Sequence, residues 1–295
     1  MGEIEVMATY WTVSGPVKVH FGREWSTFSW ADRCAHAQRV GFTGLGLWHA
    51  DVEHQLDSTT LPEMAKVFRD HGLKYLEVEF LADFFAEPGT SQRTASDAQR
   101  RKLFETAAAF DAHHIKVGNI PETPCPLDRV IEEYVALCDD AANHTDAKVA
   151  YEIIPFDPNV GTLEAGLRLV TEAARPNGGL AIDTWHMGKL QIDPERLGTI
   201  PVEHLAWVEL SDGRLEYMED KLDEVINHRE LPGEGEFDIA GYVSALHRAG
   251  YPGPWGAEIL SEKLRNLPIE QEFDRAYETT MAQVSAGVAL RGDPA

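Results

Sequence analysis

Four acidic side chains recur at matching places in four short apolar segments of the second half of the chain. They are Glu152, Asp183, Glu209 and Glu258. Alternate residues of a β-strand share a face, so Glu152 lies on the face of Ala150 and Ile154, and the other three acids show the same parity. Each acid alone is typical of an ordinary salt bridge, but four together without a cation would be very costly. Their pattern predicts one bound divalent metal ion, with Mn²⁺ first and Mg²⁺ or Co²⁺ as alternatives.

Two further polar side chains occur near the ends of segments of the same kind. His49 ends the run Gly44–His49 with the parity and position of an active-site residue, and a structural hydrogen bond is an equally good interpretation. Lys116 lies in an apolar run, where an unpaired ammonium would be costly. It either contacts a substrate oxygen or forms an ion pair with Glu79 or Glu152. His49 and Lys116 are therefore candidate substrate-binding residues.

The segments that would position these residues alternate between two kinds. Short runs rich in β-branched and aromatic residues predict eight strands, at Met7–Ser14, Thr43–His49, Lys74–Phe80, His113–Gly118, Lys148–Ile154, Gly179–Trp185, Leu205–Ser211 and Pro254–Leu260. Between them, helical periodicity predicts helices at Trp30–Val40, Leu61–His71, Ser91–Ala112, Leu127–Asn143, Thr162–Arg175, Pro194–Thr199, Ile239–Ala249 and Ile269–Val284. Strict alternation predicts an α/β protein with a (β/α)₈ barrel, as a single domain over residues 1–295. A doubly wound sheet is the alternative, but Ser14-Gly15-Pro16 is not the Gly-rich turn that it requires.

The segment Asp212–Phe237 is too long for a simple connection between a strand and a helix. It is strongly charged and contains the sequence Leu231-Pro-Gly-Glu-Gly235. In a barrel it would follow the seventh strand, at the face where active sites lie. We therefore expect a long loop that covers the active-site mouth, with a plain surface excursion as the alternative.

The composition narrows the classes of partner. Of the 295 residues 43% are hydrophobic and 25% charged, which is typical of a globular protein, and the formal net charge is −23. Such an acidic chain lacks the excess of Lys and Arg that binding to nucleic acid or to an anionic membrane requires. Small molecules are the expected partners.

The cysteines and the N-terminal residues indicate the cellular compartment of the protein. The three cysteines, Cys34, Cys125 and Cys138, show no paired spacing, as in proteins of reducing compartments. Residues 1–8 have neither the basic nor the apolar region of a signal peptide. No run of about 18 apolar residues is present. We expect a cytoplasmic protein.

Four stretches carry a resemblance to a known family. They are Tyr151-Glu152, Ile182-Asp183-Thr-Trp-His186, Leu231-Pro-Gly-Glu-Gly-Glu-Phe237 and Gly253-Pro-Trp-Gly-Ala-Glu258. In this order they resemble the sugar phosphate isomerase/epimerase family of the xylose isomerase-like TIM barrel superfamily, whose members include D-tagatose 3-epimerase and inosose dehydratase. The resemblance spans nearly the whole chain and implies a TIM barrel.

The resemblance also implies roles for individual residues. Glu152, Asp183 and Glu258 match the family's metal ligands, and Glu209 stands where the family usually has a histidine. Glu152 and Glu258 match the residues that also exchange the proton. His186 matches a histidine that contacts substrate oxygens, with a structural histidine as the alternative. Arg229 resembles a position that closes over the substrate, with a salt bridge in the loop as an equal alternative.

The function implied is a metal-dependent isomerase or epimerase of a sugar, keto-sugar or cyclitol. It would remove a proton next to a carbonyl, and the metal would stabilise the enediolate. The alternative is a lyase with the same site, either an inosose-type dehydratase or an eliminase of a 3-oxo-glycoside. A metal-free binding or scaffold subunit is a more remote alternative, and the negative charge argues against the superfamily's AP endonucleases. No basic cluster marks a phosphate site, so a free sugar is favoured, and homo-oligomers are common among similar proteins.

Overall fold

Eight parallel strands close into a barrel in the computed structural model of the chain, which describes residues 3–19 and 22–290. Each strand pairs with the next in sequence order, and β1 also pairs with β8. Their bounds are β1 Val6–Ala8, β2 Gly44–Trp48, β3 Tyr75–Leu81, β4 His114–Val117, β5 Lys148–Glu152, β6 Gly178–Asp183, β7 Leu205–Leu210 and β8 Trp255–Ala257. The predicted (β/α)₈ barrel is confirmed, and each of the eight apolar runs overlaps a strand.

Twelve α-helices occur among the described residues. They are α1 Trp30–Val40, α2 His49–Gln55, α3 Leu61–Asp70, α4 Ser91–Phe110, α5 Leu127–Ala141, α6 Leu163–Ala173, α7 Thr184–Lys189, α8 Pro194–Leu197, α9 Lys221–Asn227, α10 Ile239–Arg248, α11 Glu262–Arg265 and α12 Ile269–Ala289. Eight of them lie in the segments with helical periodicity. The other four, α2, α7, α9 and α11, are short and follow β2, β6, β7 and β8 at the C-terminal face of the barrel, where their segments had no helical prediction.

The helix starts follow from local side-chain chemistry. The Thr60 hydroxyl accepts the backbone N–H of Glu63, and the Glu63 carboxylate accepts the backbone N–H of Thr60, a reciprocal pair that satisfies two otherwise free donors. Ser29 caps α1 and Thr162 caps α6 with one such bond each. These caps fix where the helices begin behind their strands.

Alternation along the strands separates the hydrophobic core from the barrel interior. In β3, Leu76 and Val78 belong to the main core, whereas Glu77 and Glu79 contact polar groups inside the barrel. Gly46 on β2 gives Glu77 its space, because a Cβ atom there would lie 2.7 Å from the Glu77 carboxylate. The acidic interior is therefore built into the packing of neighbouring strands.

A small apolar layer fills the barrel next to the acids, formed mainly by residues that precede them by two positions on the same strands. It contains Met7, Ala150, Ala181 and Trp207. The Trp207 ring stacks on the His114 ring with centroids 4.4 Å apart. A Cβ atom on Gly256 would lie 2.3 Å from the Trp207 ring, so glycine makes room for this large side chain. The layer separates the polar site from the opposite end of the barrel.

No helix in the described part of the chain is both long and apolar enough to cross a membrane. The three cysteines are free thiols, with Cys34 and Cys138 buried. The cytoplasmic location stays a prediction.

Candidate active site

Lys116 lies at the centre of the acidic cluster. Its ammonium Nζ is 2.6 Å from Glu258 and 3.1 Å from Glu209, and it also lies 3.2 Å from Glu79 and 3.4 Å from Glu77. All five side chains are buried, and they come from β3, β4 and β7 and from the residue that follows β8. The sequence analysis offered an ion pair with Glu79 or Glu152 as the structural alternative for Lys116. The structure shows the Glu79 pair together with three others.

The pKa values of these groups reflect their close packing. Burial raises the pKa of Glu209 well above its usual range, and the neighbouring Glu258 carboxylate raises it further. Burial also raises the pKa of Glu77 and Glu79. Burial alone would lower the pKa of Lys116, but the surrounding carboxylates outweigh it and raise that pKa well above its usual range. Lys116 is therefore the permanent positive charge of the cluster.

Glu209 is held from two sides. The Trp207 indole Nε1 donates to its Oε2 at 2.8 Å, and Lys116 contacts the same oxygen from across the barrel. Trp207 precedes Glu209 by two residues, so both side chains point into the barrel from β7. The orientation of Glu209 is therefore fixed by neighbours within the barrel itself.

Arg229 and His186 contact the other half of the cluster. Arg229 donates from Nη1 to Asp183 at 2.6 Å and to the Ser211 hydroxyl at 3.2 Å, and lies 3.7 Å from Glu258. His186 Nε2 lies 3.1 Å from Glu152 and 3.4 Å from Asp183. The structure thus brings both predicted residues into contact with the acids.

The start of α7 explains the position of His186. Asp183 ends β6 and caps α7 by accepting the backbone N–H of Trp185 at 2.7 Å. One helical turn then carries His186 back over the strand end, onto the same side as Asp183. The spacing Asp-x-x-His is therefore the spacing of a capped helix start.

The donor set fits a divalent cation. Glu152, Asp183, Glu209 and Glu258 offer oxygen atoms that all lie within 4.8 Å of one another, and Glu152, Asp183 and His186 form a second such group. Glu77 Oε2 and Glu79 Oε1 are buried with no hydrogen-bond partner in the structure. Among the described residues, the six carboxyl groups of the cluster are paired with two permanent cations, Lys116 and Arg229, so a metal ion would supply positive charge that the cluster lacks. Hard oxygen ligands suit Mg²⁺ or Mn²⁺, and an added imidazole also admits Zn²⁺.

His49 does not join the cluster. β2 ends at Trp48, and His49 already begins α2, so its ring leaves the barrel and packs against Trp48 with centroids 4.4 Å apart. It lines a separate cavity in the helix layer with Glu53 and Lys102. Burial lowers its pKa. The structure places Trp48, and not His49, in the pocket above the acids.

A pocket opens above the acidic floor at the C-terminal end of the barrel. Its floor contains Glu79, Lys116, Glu152, His186, Arg229 and Glu258. Its wall is mainly apolar, with Trp11, Trp48, Phe80, Phe156 and Ile226 contributed by five different parts of the chain. The polar groups converge at one end of an otherwise apolar cavity, as in many small-molecule sites.

The segment between β7 and α10 forms part of this wall. It contains α9, from which Val225 and Ile226 line the pocket, and it ends in the Pro-Gly-Glu-Gly loop. Asp212 organises that loop by accepting the backbone N–H groups of Gly213, Gly233 and Phe237 at 2.8 to 3.0 Å. The segment contains a helix and is therefore more ordered than the long loop that the sequence predicted.

Comparison with known proteins identifies the family. The family model of the xylose isomerase-like TIM barrel matches residues 34–280. The chain belongs to this family.

Named relatives of this xylose isomerase-like chain are enzymes. It is 28% identical to a 3-dehydroshikimate dehydratase of Pseudomonas putida (strain ATCC 47054 / KT2440) over 79% of its own length and 36% of that protein. It is 23% identical to an inosose isomerase of Bacillus velezensis (strain FZB42) over 78% of its length and 82% of that protein. The chain thus spans about a third of the length of the dehydratase, and the family includes dehydratases and isomerases.

The barrel also resembles solved structures. The IOLI protein, whose structure is described as having a binding zinc atom, superposes with a TM-score of 0.77 at 17% identity, over 97% of this chain and 100% of that one. At this identity the likeness concerns the fold. The xylose isomerase-like barrel is therefore supported by sequence and by structure.

Two parts of the site in this xylose isomerase-like chain are not among the residues predicted from the sequence. Glu77 was not named, although it has the same parity as Glu79 in the run Tyr75-Leu-Glu-Val-Glu, which was the available signal. The wall formed by α9 was also missed. Its signal is weak, because Leu222, Val225 and Ile226 show helical spacing within only seven residues.

Proposed function

We propose that the protein is a metal-dependent isomerase or epimerase that removes a proton next to the carbonyl of a polyhydroxy ketone. The substrate class is a keto-sugar or keto-cyclitol. The observation that carries the proposal is the convergence of Glu152, Asp183, Glu209 and Glu258, whose oxygen atoms lie within 4.8 Å of one another. Two of these acids, Glu152 and Glu258, line the pocket. The enzymatic relatives in the family support it.

These four carboxylates would hold the metal ion, with Mn²⁺ as our first choice and Mg²⁺, Co²⁺ and Zn²⁺ as competitors. When bound, such an ion stabilises negative charge on a carbonyl oxygen and on the neighbouring hydroxyl. Glu209 replaces a neutral ligand by a charged one, and Lys116 at 3.1 Å compensates for the added charge. The pair Glu209–Lys116 therefore keeps the site compatible with a divalent cation.

Glu152 and Glu258 are the proposed proton carriers. One carboxylate takes the proton from the carbon beside the carbonyl, and the electron pair of the broken C–H bond shifts toward the carbonyl oxygen. In epimerisation a proton then returns to the other face of the same carbon. In isomerisation a proton returns to the former carbonyl carbon, the neighbouring hydroxyl loses its proton and becomes the new carbonyl, and the former carbonyl oxygen takes up a proton and becomes a hydroxyl. The two carboxylates have different partners, because His186 lies 3.1 Å from Glu152 and Lys116 lies 2.6 Å from Glu258. Each carboxylate thus has an adjacent nitrogen that orients it.

Arg229 and His186 are proposed substrate contacts as well as positioning groups. Both line the pocket, and both already contact ligand carboxylates. A substrate hydroxyl above the floor would lie within reach of these nitrogens. Their removal should therefore raise KM as well as lower kcat.

A dehydratase is the second candidate, and the similarity to the 3-dehydroshikimate dehydratase favours it. The same proton abstraction leads to elimination when a hydroxyl group stands on the next carbon. Its C–O bond then breaks, the hydroxyl leaves with a proton as water, and an unsaturated ketone remains. Because conjugated ketones absorb in the ultraviolet, the two outcomes are separable in one experiment.

Elemental analysis and solvent-deuterium exchange test the proposal. The purified protein, Glu209→Ala and Glu258→Gln would be incubated with Mn²⁺, dialysed and analysed, and then mixed with D-fructose or an inosose in D₂O. We expect about one metal per chain in the unaltered protein, less in both variants, and deuterium uptake that Glu258→Gln abolishes while far-UV circular dichroism stays unchanged.

Glu278→Gln is the matched control, because Glu278 is exposed on α12 and the substitution makes the same chemical change. It should alter neither metal content nor exchange. A chain that holds no metal after incubation, or an exchange rate that Glu258→Gln leaves intact, would overturn the proposal and favour a metal-free binding subunit. Growth of ultraviolet absorbance without an isomeric product would select the dehydratase.

A further inference from the structure

We infer that the substrate of the proposed reaction is electrically neutral and carries an apolar group beside its polyhydroxy ketone, as a glycoside with an apolar aglycone does. This inference rests on the proposed function for the polar part of the substrate. It adds the chemical nature of the part of the substrate that contacts the pocket wall.

The pocket wall is an apolar cluster of its own. Trp11, Trp48, Phe80, Ile154 and Ile226 are buried in one cluster that is distinct from the main core between strands and helices. The Trp11 and Trp48 rings pack edge to face with centroids 4.9 Å apart. This cluster lies above the carboxylates, whereas the layer around Trp207 lies below them. The polar floor is therefore enclosed by apolar surface on both sides.

The buried polar side chain of the wall, Asn119, is already occupied, and the other polar residue of the wall, Glu122, is exposed. Asn119 donates from Nδ2 to Asp157 at 2.7 Å and to the backbone carbonyl of Thr123 at 3.0 Å, and its Oδ1 accepts the backbone N–H of Thr123. A free sugar carries a hydroxyl on nearly every carbon, and each hydroxyl that is buried without a partner costs free energy. The wall therefore suits a group without hydroxyls, and the hydroxyls of the substrate belong at the floor.

The charges of the floor disfavour an acidic substrate. Among the described lining residues the permanent cations are Lys116 and Arg229, and both are engaged by carboxylates. The six buried carboxyl groups outnumber these two cations, so neither cation is left to pair with a further anion. A substrate carboxylate or phosphate would therefore meet repulsion and no free cation in this part of the chain.

The side of the pocket mouth that α9 forms is apolar as well. Leu222 on α9 is 56% exposed and lines the opening, beside Val225 and Ile226. Buried Arg265 holds this helix in place, since it donates to the carbonyl of Ile226, to the Asn227 side chain at 3.0 Å and to the carbonyl of Val17 at 2.9 Å. An aglycone can therefore extend from the floor along α9 toward solvent.

Binding of three unreactive probes to the metal-loaded protein tests this inference. Phenyl β-D-glucoside and methyl β-D-glucoside share a neutral sugar and differ in the aglycone, and shikimate is a hydroxylated ring with a carboxylate. Calorimetric titration should give at least a roughly tenfold tighter Kd for the phenyl than for the methyl glucoside, because the ring removes apolar surface from water. Shikimate should bind no more tightly than the methyl glucoside.

Two variants locate the effect. The double variant Leu222→Ser/Val225→Ser should lower the phenyl-to-methyl ratio of affinities several-fold. Leu215→Ser is the matched control, because Leu215 is 47% exposed in the same segment but does not line the pocket, and it should keep the ratio.

Equal affinities for the two glucosides, including no measurable binding of either, would overturn the inference. Tighter binding of shikimate, or a ratio that the double variant leaves unchanged, would overturn it too. These outcomes differ from failure of the proposed function, which would appear as missing metal or missing deuterium exchange with a plain ketose.

Discussion

Glu272 is a fully buried carboxyl outside the active site, and its ionisation should contribute to the pH dependence of stability. It lies on α12 and accepts the backbone N–H of Gly15 at 3.1 Å, in the segment that follows β1. Its second oxygen has no hydrogen-bond partner in the structure. Burial raises its pKa to about 9. Near neutral pH the native protein therefore holds a proton there that the unfolded chain releases.

The sign and size of the effect follow from this difference. Because the pKa is higher in the folded state, the native protein binds more protons than the unfolded chain between the ordinary value of 4.5 and about 9, and stability falls as pH rises through that range. One pH unit corresponds to about 1.4 kcal/mol when only the native state is protonated. Glu272 alone should therefore cost up to about 4 kcal/mol between about pH 5 and pH 8.

Glu272→Gln copies the protonated carboxyl and removes the titration. Urea unfolding at several pH values from about 5 to 8 should show the variant gaining stability over the unaltered protein by up to about 1.4 kcal/mol per pH unit. Glu278→Gln, on the exposed face of the same helix, should show no such trend. If the stability difference between Glu272→Gln and the unaltered protein were constant over this range, the carboxyl would be ionised in the folded state and the reasoning would be wrong.

Two other substitutions test the packing of the site. Lys116→Met should destabilise the protein by about 3–5 kcal/mol in urea unfolding, because four glutamates lose their shared cation, and Mn²⁺ should restore part of this loss. An unchanged midpoint would show that the glutamates are protonated without it. Gly235→Ala should destabilise by about 1–3 kcal/mol, since its Cβ atom would lie 2.3 Å from the Asp212 carboxylate. Gly198→Ala, with its nearest contact at 3.3 Å, is the comparison, and an equal effect of the two would contradict this role of Gly235.

The barrel and the convergence of the four acids were predictable because two general properties of parallel strands determine them. A strand places alternate residues inside, and parallel strands of a barrel end at one face. Glu152, Asp183, Glu209 and Glu258 therefore had to meet once their strands were recognised. Their roles as metal ligands and proton carriers stay predictions.

His49 shows where such reasoning fails. The predicted parity was wrong, because Leu45 and Leu47 pack in the main core while Trp48 faces the pocket, and His49 shares the outward parity of the two leucines. The strand also ends one residue earlier than predicted, and α2 begins at His49. The bounds of strands depend on tertiary packing, which a local pattern does not contain. For the same reason α9 was not predicted. It is a helix of seven residues, three of them charged, and its apolar side lines the pocket together with Trp11 and Phe156, which are distant in sequence.

The order of the strands also affects how the site assembles during synthesis. β1 is made first, but one of its two partners is β8, about 250 residues later in the chain. Glu77, Glu79 and Lys116 leave the ribosome early, and Glu258 follows only with the strand that closes the barrel. The complete set of proposed metal ligands thus exists only in a chain whose barrel has closed. Metal binding would then occur only after folding is complete. A nascent chain, which has only part of the site, would not bind a metal ion prematurely.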